Sequence, residues 1–307
     1  MEDHGKMSTQ VTRRDFVVRT ALGLLGGVAM SAPSGTAGPV QEGWQIGCYT
    51  RPWEEYEYPV ALDAIAEAGF QYVGLMTAKS ETRLVISYKT TPEEAAKVAE
   101  EVKKRNLQVL SVYGGGFPVN ESPDKGIAAL KTLIDHSATV GSKTLMTAGI
   151  GKAELYDTYF KTIAECCDYA EQKGVALTLK PHGGLNATGP QCCKAIETVG
   201  HRNYSLWYDP GNIFYYSDGT LDPVKDAATL TTPVTGMCVK DYRHPKEVML
   251  TPGTGMVDFP GVMKALKAHG FTHGPLVIET LTQGDLPFML KEAKKAGKFL
   301  EDLVATL

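Results

Sequence analysis

Val175-Ala176-Leu177-Thr178-Leu179 running into Lys180-Pro181-His182-Gly183-Gly184, and then Tyr204-Ser205-Leu206-Trp207-Tyr208 running into Asp209-Pro210-Gly211-Asn212, is the stretch on which the fold turns. Each half begins as a short apolar run and leaves through a polar, glycine-containing loop. Residues 190–199 between them carry helical periodicity. A strand that is apolar on both faces, a helix and a second such strand make a parallel β-α-β unit covered by helices. The chemistry-bearing residues stand where the strands end.

The same rhythm continues in both directions. Strands are expected at 44–49, 72–76, 107–112, 144–147, 175–179, 204–208, 234–239 and 276–278. Helices are expected at 60–68, 92–105, 125–140, 154–173, 190–199, 222–230, 260–268 and 286–303. Thr91-Pro92-Glu93-Glu94 reads as an N-cap, an N1 proline and an acidic first turn, and Gly69, Gly141, Gly174 and Gly270 read as helix ends. Eight strand–helix units in about 265 residues match the roughly 250 of a (β/α)₈ barrel, a single-domain α/β fold. An open doubly wound sheet would carry a glycine fingerprint after its first strand, and Gly47-Cys48-Tyr49-Thr50-Arg51-Pro52 is none. Gly114-Gly115-Gly116 lacks the Lys-Ser/Thr of a phosphate loop.

Composition narrows the function. With 43% hydrophobic and 21% charged residues and a net charge of −4, the chain of 307 residues is neither disordered nor collagen-like, and it is not the strongly basic surface that nucleic acid selects. The first 37 residues stand outside the barrel. Thr12-Arg13-Arg14-Asp15-Phe16, an apolar run over 21–32 and the small residues Ser34, Gly35, Thr36 and Ala37 resemble a twin-arginine export signal with its cleavage region. The expectation is a cleaved signal at 1–37, a linker at 38–43 and a barrel domain at 44–307 in an exported, periplasmic protein that meets the membrane only through its signal. The apolar run is too short and too rich in glycine for a permanent span. Six cysteines in no C-x-x-C spacing read as buried free thiols.

In such a barrel the active site lies at the carboxyl ends of the strands. Strand five ends in Lys180 and His182, strand six in Asp209 and Asn212, strand seven in Cys238-Val239-Lys240-Asp241, and strand eight in Glu279-Thr280. Imidazole, thiol and carboxylates are a ligand set for a divalent ion that could polarise a carbonyl and a hydroxyl. Each residue also has a plain alternative: His182 or Asp209 as a turn cap, Cys238 as a buried apolar thiol, Lys180 as a counter-charge, and Lys240 with Asp241 as an internal ion pair. Tyr113 and Trp207 could stack on a sugar ring, although Trp207 inside a strand also reads as core, and His244 beside Arg243 could touch substrate.

At these residues the chain resembles the sugar-phosphate isomerase/epimerase proteins of the xylose isomerase-like barrel superfamily. The likeness rests on His182-Gly183-Gly184, Asp209-Pro210-Gly211-Asn212, Val239-Lys240-Asp241, Pro252-Gly253-Thr254-Gly255 with Val257-Asp258-Phe259, and Ile278-Glu279, in that order. It implies a single divalent ion bound by Glu, Asp, His and Glu after strands five, six, seven and eight, with the two glutamates as opposed acid and base. Asp209 and Glu279 match that pattern, whereas Lys180 and Cys238 replace its first Glu and its His. The expectation is a metal-dependent sugar isomerase or epimerase, with Lys180 and Glu279 as the proton-transfer groups. One Mn, Zn, Co or Fe ion would be held by His182, Asp209, Glu279 and Cys238. Lys240, Asn212, Trp207, Tyr113 and His244 would contact a small carbohydrate. A keto-sugar or keto-glycoside lyase using the same site and a noncatalytic periplasmic sugar-binding protein are the alternatives. Nucleic acid is not an expected partner, and a homo-oligomer is compatible with the sequence.

Overall fold

The computed structural model describes residues 43–307; the expected export signal and most of the expected linker lie outside the described residues. The eight strands are β1 (Trp44–Tyr49), β2 (Tyr72–Leu75), β3 (Gln108–Tyr113), β4 (Thr144–Met146), β5 (Ala176–Leu179), β6 (Tyr204–Tyr208), β7 (Val234–Val239) and β8 (Gly274–Ile278). Each is parallel to its neighbours, and β1 pairs with both β2 and β8, so the sheet closes into a barrel. Trp44 lies opposite Gly274 and Cys48 opposite Ile278 in the closing seam.

Among the described residues nine α-helices surround the barrel: α1 (Tyr58–Glu67), α2 (Pro92–Lys104), α3 (Pro123–Thr139), α4 (Tyr156–Gln172), α5 (Gly189–Val199), α6 (Pro210–Tyr216), α7 (Pro223–Ala227), α8 (Phe259–Ala268) and α9 (Leu286–Val304). Their starts follow the local chemistry. Thr91 and Glu94 form a reciprocal capping box on α2, Thr188 and Gln191 do the same on α5, and Asp258 and Asp285 cap α8 and α9. The element not expected from the sequence is α6, two turns that begin directly after Asp209.

Two apolar layers hold the molecule together. The larger packs the outer faces of the strands against the helices, with Leu62, Val73, Leu130, Leu145, Phe160, Leu206 and Leu300 fully buried or nearly so. The smaller fills the barrel itself with Tyr49, Tyr72, Met76, Leu110, Met146, Trp207, Cys238 and Val277. This inner plug makes the barrel a packed core rather than a pore, so ligands are confined to its ends. All six cysteines are buried free thiols. No helix among the described residues is long and apolar enough to cross a membrane.

Candidate active site

Five charged side chains converge above the inner plug, each from a strand exit. Lys180 follows β5, Asp209 follows β6, Lys240 follows β7, Glu279 follows β8, and Arg51 lies two residues beyond β1. Lys180 and Lys240 are 1% and 2% exposed, and Asp209 and Glu279 are fully buried, so the charges must neutralise one another. Lys180 Nζ stands 2.9 Å from Asp209 Oδ2 and donates also to Glu279 Oε2. Lys240 Nζ lies 3.2 Å from Asp209 Oδ2 and 2.6 Å from Glu279 Oε1, and Arg51 Nη1 donates to that same Oε1.

Local structure fixes these positions. Asp209 serves twice, for its Oδ1 caps α6 by accepting the Asn212 N–H at 3.0 Å while its Oδ2 faces the lysines. Asn212 accepts from Lys240 Nζ at 2.9 Å and donates through Nδ2 to Pro181 O at 2.7 Å, tying the exits of β5, β6 and β7 together. Gly211 permits this arrangement: a Cβ there would lie 2.6 Å from Lys240 Cγ and 2.7 Å from its carbonyl oxygen. The Asp-Pro-Gly-Asn sequence is therefore a charge receptor, a helix start, a contact surface and a brace in four consecutive residues.

Electrostatics follow from burial and pairing. Burial alone would depress the Lys180 ammonium, but Asp209 and Glu279 outweigh it and hold its pKa well above the ordinary lysine value. Burial, aided by the neighbouring Lys180 and Arg51, pulls Lys240 below that value against the attraction of Asp209 and Glu279. Burial would raise the Glu279 carboxyl, yet Lys180, Lys240 and Arg51 together hold it well below the usual carboxylate range. Burial pushes the Cys238 thiol up, which keeps it protonated.

The structure sorts the expected site residues. Asp209, Cys238 and Glu279 come together, with potential ligand atoms all within 4.8 Å of one another. His182 does not join them. The His182 N–H bonds to Asn186 O, and the imidazole packs with Tyr113 and Tyr216, each ring centroid 6.0 Å away. It is held neutral, its pKa lowered to about 3 by burial and by the charges of Lys180 and Lys240. Tyr113 thus lines the rim. Trp207 does not: it is sealed inside the barrel plug, so it is core and not a stacking platform. His244 is exposed on the loop after β7, and neighbouring Arg243 is engaged with Glu247 and Thr254 O, away from the cluster.

The alternative of a Lys240–Asp241 ion pair is not what forms, because Lys240 turns to the cluster and Asp241 to backbone. The Asp241 carboxylate accepts N–H groups from Tyr242, Gly253, Thr254, Gly255 and Val257 at 2.7–3.1 Å. Gly255 is needed there, since a Cβ would come within 2.4 Å of Asp241 Oδ1. Arg51 was missed as a site residue, although the strand-exit rule applied to β1 would have found it.

A resident divalent ion does not fit this arrangement while Lys180 is in place. The donor trio is present, but both carboxylates are directed at ammonium or guanidinium groups.

The family model of the xylose isomerase-like TIM barrel matches residues 62–303. The chain belongs to that family. No curated protein matches it by sequence. Among solved structures, an L-ribulose 3-epimerase is 16% identical with a TM-score of 0.66, covering 86% of this chain and 95% of that one. The IOLI protein with a bound zinc atom is 16% identical with a TM-score of 0.64, covering 85% and 98%. A xylose isomerase-like TIM barrel protein from Mycobacterium smegmatis in complex with magnesium is 16% identical with a TM-score of 0.68, again covering 85% and 98%. At these identities the likeness is one of fold.

Proposed function

We propose that this chain is a sugar isomerase or epimerase that moves a proton at the carbon next to a carbonyl of a small carbohydrate or polyol. The observation that carries the reading is the convergence of Arg51, Lys180 and Lys240 on Glu279 at the barrel mouth. Removing a proton next to a carbonyl puts negative charge on the carbonyl oxygen, and fixed cations in a water-poor site stabilise that charge. A substrate carbonyl oxygen over the mouth would accept from the Lys180 or Lys240 ammonium. The Glu279 carboxylate would take the carbon-bound proton. The neutral imidazole of His182, packed with Tyr113 and Tyr216, can hydrogen-bond a substrate hydroxyl at the rim, and the Lys180 ammonium is the proton donor beside Glu279. In support of the substrate class, solved structures that share this fold include an L-ribulose 3-epimerase and a D-psicose 3-epimerase.

One observation favours a second reaction. Lys180, firmly protonated, touches Glu279, so an acid and a base lie side by side rather than on opposed faces. That pair suits elimination from a keto-sugar or keto-glycoside. Incubation with a panel of keto-sugars in D₂O, followed by proton NMR, separates the readings. Deuterium at an isomerised or inverted carbon supports the first, loss of water or aglycone supports the second, and neither product with any sugar leaves both without support.

We also propose that the protein is exported by the twin-arginine route, on the strength of Arg13-Arg14 and the apolar run after them. Intact mass of protein recovered from the producing cell would decide this, since a chain still carrying residues 1–37 contradicts cleavage.

A further inference from the structure

We propose that Lys180 is a built-in cation that occupies the centre on which Asp209, Cys238 and Glu279 would otherwise close around a divalent ion, so that the barrel holds its two buried carboxylates without metal. The proposal goes beyond the reading of the reaction: it concerns what neutralises the site, whichever sugar chemistry takes place there.

The four carboxylate oxygen atoms of Asp209 and Glu279 all have partners. Glu279 Oε2 is taken by Lys180 Nζ, and Glu279 Oε1 by Arg51 together with Lys240 at 2.6 Å. Asp209 Oδ2 accepts from Lys180 at 2.9 Å and lies 3.2 Å from Lys240, and Asp209 Oδ1 accepts the Asn212 N–H at 3.0 Å. Every carboxylate oxygen of the donor trio thus already faces a cation or an amide. A divalent ion arriving among them would also meet three side-chain positive charges within a few ångströms, where repulsion in a buried site is strong.

Lys180 is not a stray side chain that swung in from solvent. It is 1% exposed, and its backbone carbonyl is held by Asn186 Nδ2 at 3.1 Å. Its ammonium bridges the exits of β6 and β8, the connection that a metal held by Asp209 and Glu279 would make. Lys240 is locked beside it by Asn212 and by the close approach of Gly211. With three cations against two carboxylates, the cluster keeps one positive charge in excess, which suits an oxyanion formed on a bound sugar.

The test reads metal content and leaves sugar turnover aside, so its failure is distinct from failure of the reaction assignment. The purified full chain is dialysed against chelator and then metal-free buffer, offered Mn²⁺ or Zn²⁺ alone, and examined by elemental mass spectrometry and thermal unfolding. The expected result is far less than one ion per chain and an unfolding midpoint that neither ion nor chelator moves. Lys180→Glu, which turns the central cation into a fourth donor, is expected to take up about one ion per chain and to gain thermal stability with Mn²⁺ or Zn²⁺. Adding Asp209→Asn should abolish that uptake. If Lys180→Glu folds only when expressed with added Mn²⁺ or Zn²⁺ and retains the ion, the proposal is supported equally. A native chain that holds one ion and loses it in Asp209→Asn overturns it, as does a folded Lys180→Glu protein that stays metal-free.

Discussion

Two regions of the barrel mouth neutralise buried carboxylates by different means. In the cluster, Asp209 and Glu279 face buried side-chain cations. A few residues beyond β7, Asp241 faces five backbone N–H groups and no side-chain cation. Backbone dipoles cannot move a proton or swing towards a ligand, so the second arrangement can only hold a loop in shape. Side-chain charges can do both. Burial and charge are common to the two regions, and the identity of the partner separates chemistry from architecture.

That contrast can be broken by substitution. The largest effect is expected from Glu279→Gln, which should slow solvent-deuterium exchange into substrate by about 10²–10⁴-fold if Glu279 carries the proton. A loss below tenfold, measured by NMR, would remove Glu279 from that role. Next, Asp209→Asn should destabilise by about 3–5 kcal/mol in urea unfolding because it strands buried ammonium groups. Combining it with Lys180→Met should recover at least about 1 kcal/mol, and strict additivity would show that the two charges are not coupled. Asp241→Asn should cost about 2–3 kcal/mol through its unsatisfied N–H groups. Here no single side-chain substitution should rescue it, because no charged partner exists to delete.

Acid should sharpen the comparison further. His182 is neutral in the folded chain down to about pH 3, whereas an unfolded histidine takes its proton near pH 6.5. Its contribution is therefore complete above pH 6.5 and lost as the pH falls, by at most about 2 kcal/mol at pH 5. His182→Gln should flatten that slope, and an unchanged slope would place the imidazole in contact with water. Glu279 adds its own loss at lower pH: a carboxyl held below its ordinary range stabilises above that range and ceases to do so as it is protonated. The smallest change is expected at exposed His244, where alanine should shift stability by less than about 0.5 kcal/mol and leave turnover intact.

Much of this was legible before any coordinates. All eight strands could be placed because apolar runs, helical periods and terminal prolines or glycines agree along the chain, and the strand-exit rule pointed to Lys180, Asp209, Lys240 and Glu279. Helix α6 escaped because seven residues are too few to display a period. Partner choice escaped for a different reason. Lys240 and Asp241 are adjacent in sequence, but successive residues leaving a strand point to opposite sides, so one joined the cluster and the other the loop. His182 was expected among the ligands because two residues from Lys180 is a short distance along the chain. In space its ring packs with Tyr113 and Tyr216 instead, and its backbone N–H bonds to Asn186 O.

The closing seam has a consequence for assembly. Strand β8 completes the barrel by pairing with β1 and β7, and it is also the strand that delivers Glu279. Before it docks, Arg51, Lys180 and Lys240 have Asp209 as their only acidic partner in the cluster. Pairing of β8 in the wall and neutralisation of the cluster are therefore coupled, and a substitution that weakens one is expected to weaken the other. The same strand thus closes the wall through its pairing with β1 and β7 and supplies one of the two carboxylates that balance the cations at the mouth.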